Sequence, residues 1–479
     1  MSNQQTSNKS ITKRDSDFAS WYTDIVRVAK LASYSSVKGF IVFEPNGYAI
    51  WEKIQSILDS KFKATGHRNV SMPMLIPESL MEKEGELLDG FSPEAAWVTI
   101  GGEKQLKERL CIRPTSESIF SDYYSKKVSS HKDLPMKYNQ WCSVIRWEKE
   151  TRPFLRTREF LWQEGHTVHA TKEEAEEEVQ LMIGVYRDFI ENTLAIPVIT
   201  GIKTESEKFA GAVYTMTVEA LMFNGVSLQS ATSHYFGQKF AKAFDITFAD
   251  KDSKKQYAYQ TSWGISSRII GGIIMVHSDD KGLVLPPAVA PYKVVIVPIL
   301  NTDKICFVAD NICDRLNGAG ISSHIDNRDK SAGFRFAESE VSGIPIRIEI
   351  GEKDLSDNTF TIVRRDNGEK VQISQDCDIV KYVNDLLVSI HNNLFNQARR
   401  RMDELTYECH DLGEVREIMN SSSGFIKGMW CGDHDCELKM KEIKGTKSRC
   451  ILDKGKSIDS KCIVCGKTAK HLVVWAVQY

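Results

Sequence analysis

Residues 146–166 read RWEKETRPFLRTREFLWQEGH, arginines and glutamates interleaved with two phenylalanines and two tryptophans. Arg146 and Glu148 stand two apart, so on an extended chain both point to one face. Pro153 forbids a regular helix through the polar segment KETRP. Beyond it TREFLWQEGH alternates, and Arg158, Phe160, Trp162, Glu164 and His166 share one side of a strand. The pattern predicts a hairpin presenting cationic, aromatic and acidic groups in a row. Two readings fit such a row. One is a solvated ladder of salt bridges, since same-face charge pairs occur on sheets. The other is a ligand site, because burying a charge without a partner is costly.

The rest of the chain limits what that ligand is. At 479 residues the sequence has room for roughly three domains. With 42% hydrophobic and 26% charged residues it has the balance of a soluble globular protein. Its net charge of −2 supplies no global basic field, so a nucleic-acid partner requires a local patch. No apolar run approaches the roughly 20 residues of a membrane span. The polar start MSNQQTSNKSITKRD lacks the apolar core of a secretory signal. A cytoplasmic protein with no membrane partner is expected, its first dozen residues disordered. Eleven cysteines in such a chain favour reduced thiols over a disulfide framework.

Taken in order, Phe18, Trp21, Ile25, Val28 and Leu31 predict a helix behind Ser16 as N-cap. FIVFEPNGYAIWEKIQSILDSKFKATG predicts a strand, a PNG turn and a helix stopped by Gly66. NVSMPMLIPESL, with Pro73 and Pro77, reads as an extended edge or bend. In CIRPTSE, residues 111–117, the local pattern of Thr115, Ser116 and Glu117 favours a helix N-cap. Thr171 and Glu174 predict a capping box, followed by a buried stripe of Ala175, Val179, Met182, Tyr186 and Phe189. The glutamates of that helix read as a solvated face. Gln229, Thr232 and His234 fall on a polar strand or loop. Arg268 lies in the apolar, glycine-punctuated run around GISSRIIGG, where an arginine needs an anion or an acid.

PPAVAP at 286–291 reads as a linker. After it, strands alternate with helices, which predicts a small α/β domain with a central parallel pair. A long helix follows, apolar at Val380, Val383, Leu387, Ile390 and Leu394. In the lysine-rich tail, Cys431-x4-Cys436 and Cys462-x2-Cys465 are separated by 25 residues. Four sulfurs on two turns match a closed tetrahedral zinc site. Buried free thiols are the alternative, and Cys409, Cys450 and His434 are spare ligands. The last residues, HLVVWAVQY, predict a half-buried strand reaching Tyr479.

Together these residues resemble the class II aminoacyl-tRNA synthetases over nearly the whole chain. GHRNVSMPML is similar to motif 1, which in that family places Pro73 at a dimer interface. IRWEKETRPFLRTREF is similar to motif 2 and GISSRIIGG to motif 3. RPTSE, RTREFLWQEGH, EKFAG, TSH and SWGISSR resemble the prolyl-tRNA synthetases, in the archaeal and eukaryotic form with a C-terminal zinc-binding domain. Only 96 residues separate His166 from Trp263, so the editing insertion of the usual bacterial form is not expected.

The resemblance implies an α/β multidomain protein. Its parts would be an antiparallel-sheet catalytic domain at 1–285, an α/β anticodon-binding domain at 286–390 and a small α+β zinc-binding domain at 391–479. It implies a homodimer that activates L-proline with ATP and transfers it to the 3′ end of tRNA(Pro). Arg146 would bridge the carboxylate and the α-phosphate, Arg268 would hold the γ-phosphate, and Phe160 would stack on adenine. Glu148, Arg156, Thr157, Gln229 and Thr232 would frame the nucleotide, with Mg²⁺ riding on its phosphates. For proline, Thr115 and Glu117 would accept from the secondary ammonium. Trp162, Phe209, His166 and His234 would wall the ring, with Glu164 orienting His166. Cys431, Cys436, Cys462 and Cys465 would hold a structural Zn²⁺. Arg347, Lys353, Arg364 and Arg365 are candidates for anticodon contacts. The Tyr479 carboxylate would turn back toward the active site of its own subunit, or else only complete a sheet. Other readings are a threonyl or glycyl enzyme of the same class, and a non-catalytic relative. The latter tends to lose the equivalents of Arg146, Glu148 and Arg268.

Overall fold

The alternation after Pro153 forms a strand, Glu159–His169, which pairs antiparallel with Met136–Ile145. The first strand of the hairpin ends at Ile145, so Arg146 and Glu148 begin the loop instead of lying on a strand. The Arg146 N–H donates to the Arg158 carbonyl at 2.8 Å and closes the neck of that loop. The computed structural model describes residues 11–83, 85, 90, 94–452 and 457–479.

The hairpin belongs to an eleven-stranded sheet. In chain order its strands are β1 Arg68–Asn69, β2 Met136–Ile145, β3 Glu159–His169, β4 Val198–Ile202, β5 Tyr214–Leu221 and β6 Ser227–Gly237. The remainder are β7 Tyr259–Ser266, β8 Thr406–Cys409, β9 Phe425–Trp430, β10 Lys447–Ile451 and β11 His471–Ala476. In space they run β8-β9-β11-β10-β4-β5-β6-β7-β3-β2-β1. The pairing is antiparallel except at the two ends, β8 with β9 and β1 with β2. The antiparallel core expected from the sequence is present. The C-terminal strands do not stand apart from it, because β10 joins β4 through Ile451 and Ile202.

Helix Lys172–Asn192 lies on β3–β7, and its predicted stripe is fully buried. Its acidic face is not wholly solvated. Glu178 is buried between His67 Nε2 at 2.7 Å and Lys137 Nζ at 2.6 Å. Two other local expectations change. Asp17, not Ser16, caps the first helix by accepting from the Ala19 and Ser20 N–H groups. PNG is not a turn: Pro45 opens helix Pro45–Ala64, where its fixed φ suits the first helical position. Residues 1–10 lie outside the described residues, but Thr12 is held by Asp24, so order begins before the thirteenth residue.

PPAVAP is no loose linker, since Val289 and Ala290 are buried in the main core. Beyond it stands a five-stranded sheet containing Val294–Pro298, Ser323–Ile325, Ile346–Ile350, Thr359–Arg364 and Lys370–Ser374. Its first three strands are parallel and the last two antiparallel. Helix Ile379–Glu404 then runs unbroken through the expected boundary at 390–391. The final strand β11 is buried from Leu472 to Ala476, more deeply than expected, because it lies between β9 and β10.

Candidate active site

Every residue expected at the ATP and proline sites lines one cavity of about 250 Å³ over β3, β5, β6 and β7. The alternation of β3 explains why: Phe160, Trp162, Glu164 and His166 face the cavity, and Gly165 faces away. A side chain at Gly165 would collide with Trp263, its ladder partner, at 2.1 Å. Glycine therefore lets β3 lie directly on the Trp263 ring.

One end of the cavity is acidic and aromatic. Ser116 precedes helix Glu117–Ser125, but its hydroxyl makes no capping bond and donates to Glu164 instead. The cap reading of this loop therefore gives way to a place in the site. Thr115 Oγ1 donates to Glu117 Oε2 at 2.5 Å, and Ser262 Oγ donates to Glu117 Oε1 at 2.9 Å. Gln140 donates to Glu164 at 2.6 Å, and His166 Nε2 lies 2.9 Å from its other oxygen. Burial alone would raise the Glu164 carboxyl, but His166, Ser116 and Gln140 hold it below its ordinary value. His166 also stacks on Phe120 at 4.2 Å.

His234 stands between Thr215 Oγ1 at 2.9 Å and Thr232 Oγ1 at 3.0 Å, with Phe209 4.6 Å from its ring. Burial, then the nearby His166 and Arg146, lower its pKa to about 3, so it is neutral at pH 7. Thr215 also accepts from the Phe209 N–H at 3.0 Å.

The other end is cationic. Arg146 Nε donates to the Pro114 carbonyl at 3.1 Å, and its guanidinium lies 5.5 Å from both the Phe160 and Trp162 rings. Arg268 opens helix Arg268–His277 and donates from Nε to the Leu155 carbonyl at 2.9 Å. Burial, then the charges of Arg146 and Arg156, bring its pKa down to about 10. Three arginines thus converge on one end, where Arg156 meets Glu148 only at 3.7 Å. Burial, with Glu94 nearby, raises the Glu148 carboxyl above its usual range. Such a cluster favours an anion, since added negative charge relieves the mutual repulsion.

Thr215, Ser262 and Gln140 have no place in the sequence expectations, and Ser116 has one only as a helix cap. Alternation gives a signal for Thr215 and Ser262, each at a strand position facing the cavity. None marks Gln140, whose role depends on the distant Glu164.

In the C-terminal unit the sulfurs of Cys431, Cys436, Cys462 and Cys465 all lie within 4.8 Å of one another. Cys431 is 3.7 Å from both Cys436 and Cys465. Four thiolates about 2.3 Å from a tetrahedral zinc would stand about 3.8 Å apart, so the residues fit that ion. The spare candidates Cys409, Cys450 and His434 lie outside this group. Tyr479 packs on the main core, its N–H donating to the Ser227 carbonyl at 3.1 Å and its ring 5.9 Å from the Arg152 guanidinium. The chain end thus lies beside the 146–158 loop.

In the α/β unit, Arg347 is held by Glu349 and Glu340, Arg364 by Asp366, and Arg365 by Asp279 of the catalytic unit. Arg365 serves as a joint between units.

Comparisons with known proteins agree with this arrangement. A family model for the class II tRNA synthetase core domain (G, H, P, S and T) matches residues 98–277. The anticodon binding domain matches 293–386, and the prolyl-tRNA synthetase C-terminal domain matches 412–479. The chain is 54% identical to a proline–tRNA ligase of Clostridium novyi, over 98% of each chain. It is 53% identical to one of Ruminiclostridium cellulolyticum, again over 98% of each. A third, proline–tRNA ligase 2 of Bacillus thuringiensis subsp. konkukian, is 52% identical over 98% of this chain and 99% of its own. The chain belongs to the prolyl-tRNA synthetases, within the class II aminoacyl-tRNA synthetases.

Proposed function

We propose that the cavity joins L-proline to the α-phosphate of ATP, and that the prolyl group then passes to the 3′ end of tRNA(Pro). The observation that carries this reading is the division of one cavity into a cationic end and an acidic, aromatic end. An amino-acid carboxylate is already ionised at neutral pH, so its attack on phosphorus needs no general base. The site has to align two anions and stabilise charge at the α-phosphate.

Arg146 stands where the two ends meet and suits a bridge between carboxylate and α-phosphate. Arg268, at a helix N-terminus, suits the γ-phosphate. Phe160 offers a face to adenine, while Glu148, Arg156, Thr157, Gln229 and Thr232 frame the nucleotide. Mg²⁺ accompanies ATP through its phosphates, without a protein cage of its own. Glu117, aligned by Thr115 and Ser262, accepts from the secondary ammonium of proline. Neutral His234, with His166, Phe209 and Trp162, walls the ring.

Between His166 and Trp263 every element belongs to the central sheet or is a helix or short ribbon packed against it. This supports an enzyme without an editing insertion. A structural Zn²⁺ at the four cysteines fits their spacing. The α/β unit suits single-stranded anticodon bases, which are read on exposed edges and stacked on planar side chains. A homodimer in the cytoplasm is the assembly proposed. Met74 and Leu75, in the segment similar to motif 1, are 47% and 37% exposed, which favours a partner there. A solution mass near 54 kDa would reject the dimer.

For Tyr479, the proposal is that the chain end helps order the 146–158 loop. Deleting it should lower proline activation with melting temperature nearly unchanged; a loss that only tracks stability leaves it a sheet-completing residue. The function itself is tested by proline-dependent ATP–pyrophosphate exchange, which Arg146→Ala should lower by about 10²–10³ in a folded protein.

A further inference from the structure

We propose that Arg449, carried by the C-terminal unit, is a positioning residue for the ATP end of the cavity, acting through Glu219 and Ser227 on Gln229. The inference rests on the reading that Gln229 and Arg268 hold ATP.

The β5–β6 ladder is irregular where it borders the cavity. Val218 pairs with Ala231 but Glu219 with Gln229, so Ser230 bulges out of register. A bulge leaves its extra residue unpaired and locally disrupts the ladder. Gln229 stands beside that disruption, and its strand is also held from outside the ladder.

That support is a buried ionic cluster. Glu219, Arg449 and Lys203 are 0%, 1% and 4% exposed. Lys203 Nζ lies 2.8 Å from Glu219 Oε1, and Arg449 Nε lies 3.2 Å from Oε2. Thr217 and Ser227 donate their hydroxyls to the same carboxylate at 2.8 and 2.9 Å. Both cations act against burial to hold Glu219 ionised, with a pKa lowered to about 2. Arg449 also reaches Gln478, next to the chain end.

These contacts converge on Ser227, two residues before Gln229. Its hydroxyl is held by Glu219. Its N–H donates to the Val477 carbonyl at 2.8 Å, and its carbonyl accepts from the Tyr479 N–H at 3.1 Å. Arg449 is bonded to both supports of Ser227, the carboxylate and the tail. Apolar side chains of similar volume often join two strands at least as strongly, so the role proposed for this cluster is to fix geometry and not to add stability. Glu219 also lies close enough to Arg268 to oppose the lowering of its pKa. Through Arg449 the C-terminal unit is thereby tied to the nucleotide end of the cavity, while its contacts of Lys447 with Glu207 at 2.9 Å and of Glu437 with Ser206 at 2.7 Å lie on the segment before Phe209.

The test uses the full-length, zinc-loaded chain with Arg449→Met and Arg449→Lys. KM for ATP and for proline are measured separately in pyrophosphate exchange. Arg449→Met should raise KM for ATP about tenfold, since small displacements at a site are costly. KM for proline should stay within about twofold. Arg449→Lys, which keeps the charge but loses the fork, should fall between wild type and Arg449→Met. A purely structural role would lower kcat with the fraction of folded enzyme and leave both KM values unchanged, which overturns the inference. If Arg449→Met does not fold, Arg449→Lys decides by the same split. Arg268→Ala is run alongside. If it raises KM for ATP while the Arg449 variants do not, only this inference falls. If it too leaves KM for ATP unchanged, the ATP reading falls with it.

Discussion

Substituting Gly165 by alanine places one methyl group where the structure has no room. The new Cβ would lie 2.1 Å from Trp263 Cζ2 and 2.2 Å from two further ring atoms, whereas ordinary contact begins at 3.4 Å. The ring and strand β3 must therefore part by about 1.3 Å in an interior packed as densely as an organic crystal. Trp263 cannot give way. It is 1% exposed, with Phe62 and His67 at 5.0 and 4.9 Å and Tyr186 behind it. The strand moves instead, carrying Glu164 and His166 on either side of position 165. Overpacking of this kind costs about 1–3 kcal/mol. A shift near 1 Å in the residues that shape a site costs about 10²-fold in rate. Gly165→Ala should therefore lower melting temperature modestly and pyrophosphate exchange by about two orders of magnitude. Adding Trp263→Phe makes room, so the double variant should recover more activity than the single effects allow, as expected for residues in contact. Wild-type exchange in Gly165→Ala, or strictly additive effects in the double variant, would show that the methyl group is accommodated without moving β3.

Two further outcomes follow from the geometry. The four cysteines should bind about one zinc per chain, and Cys462→Ser with Cys465→Ser should remove it, as read by metal analysis of the purified protein. Undiminished zinc would move the site elsewhere. His169 is buried, with Nε2 2.7 Å from Thr167 Oγ1, and burial lowers its pKa to about 4. Between its unfolded pKa and about 4 the unfolded chain binds a proton that the folded one does not, so stability falls as pH drops through that window. His169→Gln should flatten that slope by up to about 1.4 kcal/mol per pH unit in urea unfolding. An unchanged slope would show that His169 takes up its proton without unfolding.

The sequence was most legible where period and chemistry coincide. The two-residue alternation from Arg158 to His166 placed four side chains in the cavity, and the helical stripe from Ala175 to Phe189 was found buried. Local patterns failed where distant partners decide. Nothing around Glu178 announces that His67 and Lys137 enclose it. Ser116 has the sequence of a cap, but Glu164, 48 residues on, takes its hydroxyl. PNG carries turn residues, yet proline at the start of an apolar periodic run is equally a helix opener. The joining of β10 to β4 is a pairing across 249 residues that no local period records. Junctions were the least legible, since helix Ile379–Glu404 runs through residues 390–391 and the PPAVAP segment is packed into the core.

ATP–pyrophosphate exchange across the twenty amino acids decides whether this cavity activates proline with ATP. Exchange should be strongest with proline, weak with smaller apolar amino acids that an apolar pocket cannot fully reject, and lost with proline in a folded Arg146→Ala protein. Strong exchange with a different amino acid, or near-wild-type exchange without Arg146, would show that the cavity does not activate proline in this way.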